Sequence, residues 1–511
     1  MFASRRRFLT MLAAGPSAAA CFAENFSHWD FVAGNETQAR LAEDPLRPQF
    51  HLLPAKNWMN DPNGPIRWQG QYHMFFQYNP NAAVWGDMHW AHAVSPDMIH
   101  WKHLPIGLAP TPGWDDADGC FTGSAVNDNG TATVLYTGVK ACPPEVATLR
   151  DGAHNFRETQ CLATSSDPLL RTWTKFPTPV VQPPADPLLT GFRDPFVWRE
   201  PEGWWYMGVA SGLRQQGGRV LLYRSKNLRQ WEYLHPLATG KWTERDNKNP
   251  VESGEMWECP DFFALGKKFV LLYSTAGRVI WETGELDRKE MRFHSERSGL
   301  LDHGAYYAQK TQAGEPILWG WIPETRPEAE FSGAGWAGCM ALPRSLSLDA
   351  KNDLQMEVSP AAKSLRVKEF ASGKEKSARE RQILLSGIRI ENVAGEFQWS
   401  IKAPTQAIAL TLEDNAGPWW SFRATPDGPS TKLSVNDKIM QIPATDEIEC
   451  RLFVDASVAE FFCNRLHVLT SRIYRKPEGP LRITIGEADA SQLREFKAWQ
   501  LKAISRDRLT T

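Results

Sequence analysis

The chain lacks several features that would assign it to other protein classes. Beyond its N-terminus it has no run of about 18 apolar residues, the length that a membrane-spanning helix requires. Its eight cysteines contain no CxxC motif and no dense pattern, which argues against a zinc ribbon and against a disulfide scaffold. The sequence leaves room for one or two surface disulfides without assigning them.

An excess of either charge is also missing. The 57 basic and 59 acidic side chains give a net charge of -2, whereas a nucleic-acid-binding protein needs a basic patch. We therefore expect no nucleic-acid partner and no membrane span. Hydrophobic residues make up 42% of the chain and charged residues 23%, as in a folded protein of two or three domains.

Tryptophan, in contrast, is abundant. The chain has 22 Trp beside 10 Tyr and 25 Phe. Indole rings stack on the apolar faces of sugars while their N–H group finds an acceptor. Aromatic residues also fill the cores of large β-proteins, so the count fits sugar binding and core packing equally well.

The N-terminus is typical of an export signal. SRRRFLT at 4–10 is followed by a short, alanine-rich apolar stretch, a pattern that predicts a twin-arginine signal over residues 1–25. The protein would then be periplasmic or extracellular. The alternative interpretation is a basic tail without a targeting role.

A repeat runs from residue 70 to residue 325, where no helical periodicity of useful length occurs. Apolar, aromatic-rich strands recur, and several units end alike, as in SPDMIHW, SDPLLRTW and SKNLRQW; the strands lie at 72–77, 132–136, 204–207, 269–273 and 317–321. Units of 50 to 70 residues with several strands each are typical of propeller blades. Five units predict five blades.

Each of the five strands is preceded by a distinctive segment. These segments are WMNDPNGP at 58–65, GCFTGSA at 119–125, FRDPFVW at 192–198, WECPDFF at 257–263 and LDHGAYYA at 301–308. Equivalent positions of all blades line the central channel of a propeller. Asp61, Asp194 and Glu258 should therefore converge at one end of the axis.

The composition changes after the repeat. Residues 344–380 lose aromatics and gain charge, and from 381 the strands alternate apolar and polar residues between frequent turns, which is typical of an antiparallel β-sandwich. We predict an all-β chain with a five-bladed β-propeller at 48–343, a linker at 344–380 and a β-sandwich at 381–505.

The three acidic residues suit glycoside hydrolysis with retention, which needs an ionised nucleophile and a protonated acid. A Pro/Gly-rich turn around Asp61 would supply backbone donors and keep the pKa of that carboxyl low. An apolar shell around Glu258 would raise its pKa, and Asp194 follows Arg193, a strong donor. Each motif alone is more typical of an ordinary turn; the prediction depends on their joint occurrence.

A metal site is the competing hypothesis. His89, His92, His100 and His103 have the spacing H-x2-H-x7-H-x2-H. Residues three apart on a strand point to opposite faces, so each pair would diverge. We expect neither a metal nor a cofactor.

The motifs together resemble glycoside hydrolase family 32, the β-fructofuranosidases, over residues 48–500. Besides the inner segments, the resemblance rests on WGDMHWAHAVSPDMIHW at 85–101, DHGAYYAQKT at 302–311, ILWGWIPE at 317–324 and GWAGCMALPRSLSLD at 335–349. It implies a five-bladed propeller with a C-terminal β-sandwich, and a retaining enzyme that releases terminal β-D-fructofuranosyl units.

The resemblance also implies roles for single residues. Asp61 would be the nucleophile, Glu258 the acid/base, and Asp194 the stabiliser of the transition state. The fructose pocket would be lined by Asn60, Gln77, Trp85, Phe121, Thr122 and Arg193, with Tyr307 and Trp321 on the leaving-group side.

Some positions depart from the family pattern. Thr122 replaces the usual Ser and keeps the hydroxyl, and Ala456 stands where a larger residue is common. The Asp-x-x-Lys pair of plant sucrose-cleaving members is missing between 274 and 301, which leaves sucrose, inulin and levan open as substrates. A fructosyltransferase and a non-catalytic sugar-binding propeller are the alternatives.

Overall fold

A computed structural model describes residues 35–505 except 243, 246 and 373–376. The predicted export signal at 1–25 lies outside the described residues. Seven β-sheets organise the described chain. Short helices connect or cover them, namely α1 (Asn35–Glu43), α2 (Glu328–Ala334), α3 (Ala378–Gly387), α4 (Glu487–Gln492) and two 3-10 turns at Pro360–Leu365 and Glu391–Val393.

The first five sheets are the blades of a propeller. The first sheet contains β1 (Asn57–Trp68), β2 (Gln71–Asn79), β3 (His89–Ser95) and β4 (Lys102–Leu108). The second contains β5 (Gly119–Asp128), β6 (Thr131–Ala141), β7 (Leu149–Arg150), β8 (Asn155–Ser165) and β9 (Thr174–Lys175). The third contains β10 (Leu189–Arg199), β11 (Trp205–Leu213), β12 (Gly217–Ser225) and β13 (Glu232–Thr239).

The remaining blades complete the ring. The fourth contains β14 (Glu258–Leu265), β15 (Lys268–Thr275), β16 (Arg278–Asp287) and β17 (Arg292–Leu300). After β18 (Tyr307–Thr311) and β19 (Ile317–Ile322), the chain places β20 (Trp336–Ala337) in the first sheet and returns to the fifth with β21 (Cys339–Met340), β22 (Arg344–Leu348) and β23 (Leu354–Val358). The five-bladed prediction is confirmed.

The first strand of each blade lies nearest the axis. β1, β5, β10, β14 and β18 each contact the next in order, and β18 contacts β1. All five carry one of the predicted motif segments. The ring is closed by β20, which pairs in parallel with β1 through Asn57 opposite Trp336.

The recurring blade endings share one local geometry. The side-chain oxygens of Asp97, Asp167 and Asn227 each accept hydrogen bonds from backbone N–H groups two and three or four residues later. Asx residues favour such turns. The repeated S-x-D/N motif is therefore a turn that leads out of the third strand of a blade.

The last two sheets form the sandwich. Their strands are β24 (Arg366–Ser372), β25 (Arg389–Ile390), β26 (Ala394–Lys402), β27 (Ile408–Asp414), β28 (Gly417–Asp427), β29 (Ser430–Val435), β30 (Lys438–Pro443), β31 (Glu447–Asp455), β32 (Val458–Cys463), β33 (His467–Arg472), β34 (Leu481–Thr484) and β35 (Leu493–Leu501). One sheet has the order β24-β35-β26-β31-β32-β33 and the other β25-β34-β27-β28-β29-β30. Alternate residues of β27 and β29 are buried, as the period-2 pattern predicts.

The predicted linker at 344–380 was wrong, because most of it belongs to a sheet or helix. β22 and β23 complete the fifth blade, so the propeller extends beyond 343. β24 pairs with β35 of the sandwich. Charged, aromatic-poor strands at the ends of sheets do not show the pattern that marks the other blades.

A buried ionic network joins the two domains. Arg344 of β22 donates to Asp302 Oδ2 at 2.9 Å and to Glu460 Oε2 of β32 at 2.8 Å. His51 lies 2.7 Å from Asp455 Oδ2 and 3.1 Å from Glu460 Oε1. All five residues are almost fully buried, so the propeller and the sandwich share charges that water does not screen.

This network predicts a loss of stability at alkaline pH. Burial acts to lower the pKa of His51, but Asp455 and Glu460 outweigh it and raise the pKa from 6.5 to about 9. A raised pKa means that the stabilisation is complete below pH 6.5 and is lost as the pH rises through about 9. We expect a loss of about 3 kcal/mol in the free energy of unfolding over this window.

Urea unfolding at pH 6.5 and pH 9.5 checks this prediction. Tyr, Cys and Lys groups also titrate there, so the decisive quantity is the difference between the wild type and His51→Gln. That difference should shrink at the higher pH. An unchanged difference would show that His51 is uncharged in the folded protein.

Candidate active site

A cavity of about 470 Å³ opens at one end of the propeller axis. Side chains from all five innermost strands line it. Every residue predicted for the site borders this cavity, namely Asn60, Asp61, Gln77, Trp85, Phe121, Thr122, Arg193, Asp194, Glu258, Tyr307 and Trp321. The propeller therefore brings together residues that are far apart in sequence.

Irregular pairing turns the inner strands toward the cavity. The register of all five shifts at the motif, for instance between Arg193 and Phe196 in β10 and between Glu258 and Asp261 in β14. Asp194 has φ +61° and Cys259 has φ +47°, a region that side chains other than Gly seldom adopt. Bulges of this kind re-aim side chains and are common beside active sites.

Asp61 lies in β1 rather than in a free turn, and its carboxylate is held by side chains. Thr122 donates to Oδ2 at 2.7 Å, and Asn60 donates to Oδ1 at 2.9 Å. Burial raises the pKa of Asp61 above its usual value, and Glu258 adds to this, although both donors act in the opposite direction. The prediction of a low pKa maintained by backbone donors was wrong, since desolvation outweighs hydrogen bonding.

Glu258 lies between a cation and a phenol. Arg193 donates to Oε1 from Nη2 at 2.8 Å and from Nε at 3.2 Å, while the Tyr307 hydroxyl donates to Oε2 at 2.7 Å. Trp257, in contrast, stacks on Tyr273 with ring centroids 3.7 Å apart. The predicted apolar shell is therefore replaced by polar partners that fix both oxygens of the carboxyl group.

Arg193 is itself fixed by a residue that the sequence did not reveal. Glu158 is fully buried, accepts from Arg193 Nη1 at 2.7 Å, and accepts from the backbone N–H of Phe192 at 2.7 Å. No turn or motif singles out this residue in the sequence. Its role becomes visible only when β8 lies beside β10.

Asp194 lies deeper and shares a neighbour with Asp61. The backbone N–H of Cys259 donates to Asp194 Oδ2 at 2.8 Å, and the Cys259 thiol lies 3.3 Å from Asp61 Oδ2. Burial raises the pKa of Asp194 to about 7; Arg193 opposes this shift, while Glu258 and Asp61 contribute to it. Cys259 was missing from the predicted site, although it directly follows Glu258.

The three carboxyl groups share one cavity, where a negative charge on one group disfavours a negative charge on another. Like charges in a shared buried site favour retention of a proton. One protonated and one ionised carboxyl group are what acid-assisted cleavage with a nucleophile requires. The arrangement can therefore hold a proton on one carboxyl group beside an ionised one.

One side of the cavity mouth is aromatic. Trp85 is 40% exposed, and its ring lies 5.9 Å from that of Phe121 and 5.0 Å from that of His154. His154 is fixed by Asp151 at 2.9 Å. The cavity is also lined by Arg150, Asp151, Asn249 and Glu252, and no motif in the sequence points to these residues.

The four histidines of the H-x2-H spacing have different surroundings. The buried His92 contacts His73, whereas His89 binds the backbone oxygen of Asp87 and His100 binds Asp97. The ring of His103 lies 6.2 Å from that of Phe76. Within the described residues, no group of three or more His, Cys, Asp or Glu side chains could hold a metal ion. No helix of the described chain is long and apolar enough to cross a membrane.

Comparison with known proteins identifies relatives along nearly the whole chain. The profile of the glycosyl hydrolases family 32 N-terminal domain matches residues 51–359. A sucrose-6-phosphate hydrolase of Escherichia coli is 34% identical over 491 residues, covering 89% of this chain and 94% of the relative. A raffinose invertase of Escherichia coli is 34% identical over 461 residues, covering 84% and 89%.

Solved structures agree with this result. A GH32 β-fructofuranosidase of Bombyx mori has a TM-score of 0.71 at 27% identity, covering 92% of this chain and 99% of that protein. A fructan 1-exohydrolase IIa of Cichorium intybus has a TM-score of 0.71 at 25% identity, covering 90% and 98%. A variant of the Bombyx mori enzyme was solved in complex with sucrose.

Proposed function

Because this chain belongs to glycoside hydrolase family 32, we propose that it is a retaining exo-hydrolase that releases terminal β-D-fructofuranosyl units from sucrose and short fructans. The observation that carries this proposal is the convergence of Asp61, Asp194 and Glu258 in one cavity beside Arg193. The innermost strands of all five blades contribute to this cavity, so one sugar unit placed there would contact every blade.

The geometry supports a double displacement. Asp61 attacks C2 of the fructosyl unit while Glu258 donates its proton to the leaving oxygen, so the glycosidic bond breaks as a fructosyl–Asp61 ester forms. Glu258 then takes a proton from water, which attacks C2 and releases Asp61. Asp194 accepts hydrogen bonds from ring hydroxyls as positive charge develops on the ring.

Tyr307 holds the acid/base in position. Tyr307→Phe removes the hydroxyl that donates to Glu258 Oε2 at 2.7 Å. We expect kcat to fall by about 10- to 100-fold, the cost of one hydrogen bond to a charged group.

Tyr306→Phe is the matched control. Tyr306 is buried next to Tyr307, but its hydroxyl has no hydrogen-bond partner among the described residues. Its loss should leave kcat within about threefold. Equal effects of both variants would show that Tyr307 acts through packing alone.

A second cavity of about 700 Å³ adjoins the first and shares Arg150, Thr190 and Pro250 with it. Trp242 lines this second cavity, and its indole N–H has no hydrogen-bond partner among the described residues. This space supports binding of leaving groups longer than one sugar. It favours fructans as substrates in addition to sucrose.

Product analysis over time on sucrose, a fructan trisaccharide, inulin and levan tests the substrate class. We expect equal amounts of glucose and fructose from sucrose, whereas an excess of glucose would indicate transfer to sugar acceptors. Trp242→Ala should lower kcat/KM on the trisaccharide by up to about tenfold and leave sucrose unaffected. Trp204→Ala, in the turn between β10 and β11 and outside both cavities, is the control. Equal losses on both substrates would contradict the second subsite.

We propose in addition that the protein is exported through the twin-arginine route. The support is SRRRFLT at 4–10 followed by a short apolar stretch. Cell fractionation of the wild type and of Arg5→Lys/Arg6→Lys tests this. Retention of the activity inside the cell only in the variant is the expected result.

A further inference from the structure

Two cysteines face each other across neighbouring strands of the sandwich. Cys450 of β31 and Cys463 of β32 are direct partners in an antiparallel ladder. The next pair, Glu449 and Asn464, is joined by a backbone hydrogen bond of 2.9 Å. Because hydrogen-bonded and non-hydrogen-bonded pairs alternate, Cys450 and Cys463 form a non-hydrogen-bonded pair, whose side chains lie closer together.

This position meets the geometric demand of a disulfide. Cα atoms of a non-hydrogen-bonded pair are about 4.5 Å apart, within the range of about 4.4 to 6.8 Å that disulfides span. Both side chains lie in the same core cluster between the sheets, so they project from the same face of the sheet. The strand pairing therefore places the two residues within the range that a disulfide can bridge.

The other described cysteines have no such partner. Cys120 of β5 lies opposite Gly138, and Cys161 of β8 lies opposite Tyr136. β6 separates β5 from β8, so those Cα atoms are about 9.5 Å apart or more, too far for a bridge. No described cysteine other than Cys450 and Cys463 pairs with a cysteine in the strand register.

The pair can be reached by a small local opening. Cys463 is the last residue of β32, and the following Asn464 and Arg465 form a turn with φ of +50° and +60°. Cys450 borders a surface cavity of about 440 Å³. Turns at strand ends open at low free-energy cost, which would expose both thiols without unfolding the sandwich.

We propose that Cys450 and Cys463 are a disulfide-forming site that locks the β31–β32 hairpin under oxidising conditions. One thiolate attacks a sulfur of a small disulfide such as glutathione disulfide and releases one glutathione thiolate. The second cysteine attacks the resulting mixed disulfide and releases the other glutathione. The protein loses two S–H bonds and two electrons, and glutathione disulfide is reduced to two thiols.

The rate of disulfide formation should depend on pH. Burial, followed by the neighbouring Cys463, raises the pKa of Cys450 well above its usual value. Since only the thiolate attacks, the disulfide should form slowly at pH 7 and at least about tenfold faster at pH 9.

The test uses the purified full chain after treatment with glutathione disulfide or with dithiothreitol. Free thiols are alkylated under denaturing conditions and the peptides are mapped by mass. We expect a peptide pair linked through Cys450 and Cys463 only after oxidation, and a melting temperature several degrees higher for the oxidised form. Activity on sucrose should be unchanged, because the pair lies in the sandwich.

Matched variants separate the pair from other thiols. Cys450→Ala and Cys463→Ala should abolish the oxidation-dependent rise in melting temperature, whereas Cys161→Ala should keep it. If a variant fails to fold, the melting temperatures of the oxidised and the reduced wild type provide the comparison instead. Fully alkylated Cys450 and Cys463 after treatment with excess oxidant at pH 9, or linkage to other cysteines, would overturn the proposal.

Discussion

Asp61→Asn is expected to lower kcat for sucrose hydrolysis by at least about 10⁴-fold, the scale seen when a catalytic nucleophile is removed. The amide has nearly the same size, and its oxygen still accepts from the Thr122 hydroxyl, which lies 2.7 Å from the carboxylate. The propeller should therefore fold as before. The variant lacks the carboxylate whose oxygen would bond to C2, so the covalent intermediate cannot form.

Asp151→Asn is the control for this experiment. Asp151 also borders the cavity but binds His154 at its rim, so we expect kcat to change by less than about tenfold. Circular dichroism and the melting temperature verify that both variants fold. An Asp61→Asn enzyme with undiminished turnover would refute the assignment of the nucleophile.

Glu258→Gln distinguishes the acid/base from the nucleophile. Its loss should be as severe on sucrose, but smaller on an aryl β-D-fructofuranoside, because a good leaving group needs no proton. Asp61→Asn should be equally inactive on both substrates. The ratio of the two activities therefore separates the two roles.

Arg344→Met is expected to have the largest effect on stability. It removes the cation that donates to Asp302 at 2.9 Å and to Glu460 at 2.8 Å, and both carboxylates stay buried. Breaking a buried ion pair from one side costs about 3–5 kcal/mol. Urea unfolding should show a lower free energy of unfolding by that amount, together with earlier separation of the sandwich from the propeller.

An exposed ion pair supplies the comparison. Arg224 and Glu232 are 2.8 Å apart but largely in water, so Arg224→Met should change the free energy of unfolding by less than about 1 kcal/mol. Arg344→Met combined with Glu460→Leu should recover part of the loss, since it removes a buried carboxylate that has lost one of its two cations. Equal destabilisation by Arg344→Met and Arg224→Met would show that the buried network contributes no more to the free energy of unfolding than an exposed ion pair does.

Much of the architecture could be predicted from the sequence, because each blade repeats its apolar strands and its turn. The motif segments occupy equivalent positions, so the convergence of Asp61, Asp194 and Glu258 follows from the fold. Glu158 and Cys259 could not be found in this way, because their contacts come from neighbouring strands and blades. The prediction of a low pKa for Asp61 was wrong for the same reason, because the burial that raises this pKa depends on all the surrounding strands and not on the local turn.

The extent of the propeller was predicted poorly at its C-terminal side. β22 and β23 carry few aromatic residues. Their apolar side chains pack against the sandwich as well as against the fifth blade. A strand at a domain boundary packs against fewer residues of its own blade, so its sequence is less constrained to follow the blade pattern. Composition therefore changes before the sheet ends.

The parallel pairing of β1 with β20 has a consequence for the timing of synthesis. β1 carries Asp61 and is the first of the described strands to be synthesised, yet its parallel pairing needs Trp336 and Ala337, which are made after the other blades have begun. Gly338 then packs its Cα against the Met59 backbone, where a Cβ would lie 2.2 Å from the carbonyl oxygen. A nascent chain that ends before β20 holds the proposed nucleophile on an incomplete sheet, so we expect hydrolytic activity only from a nearly complete polypeptide.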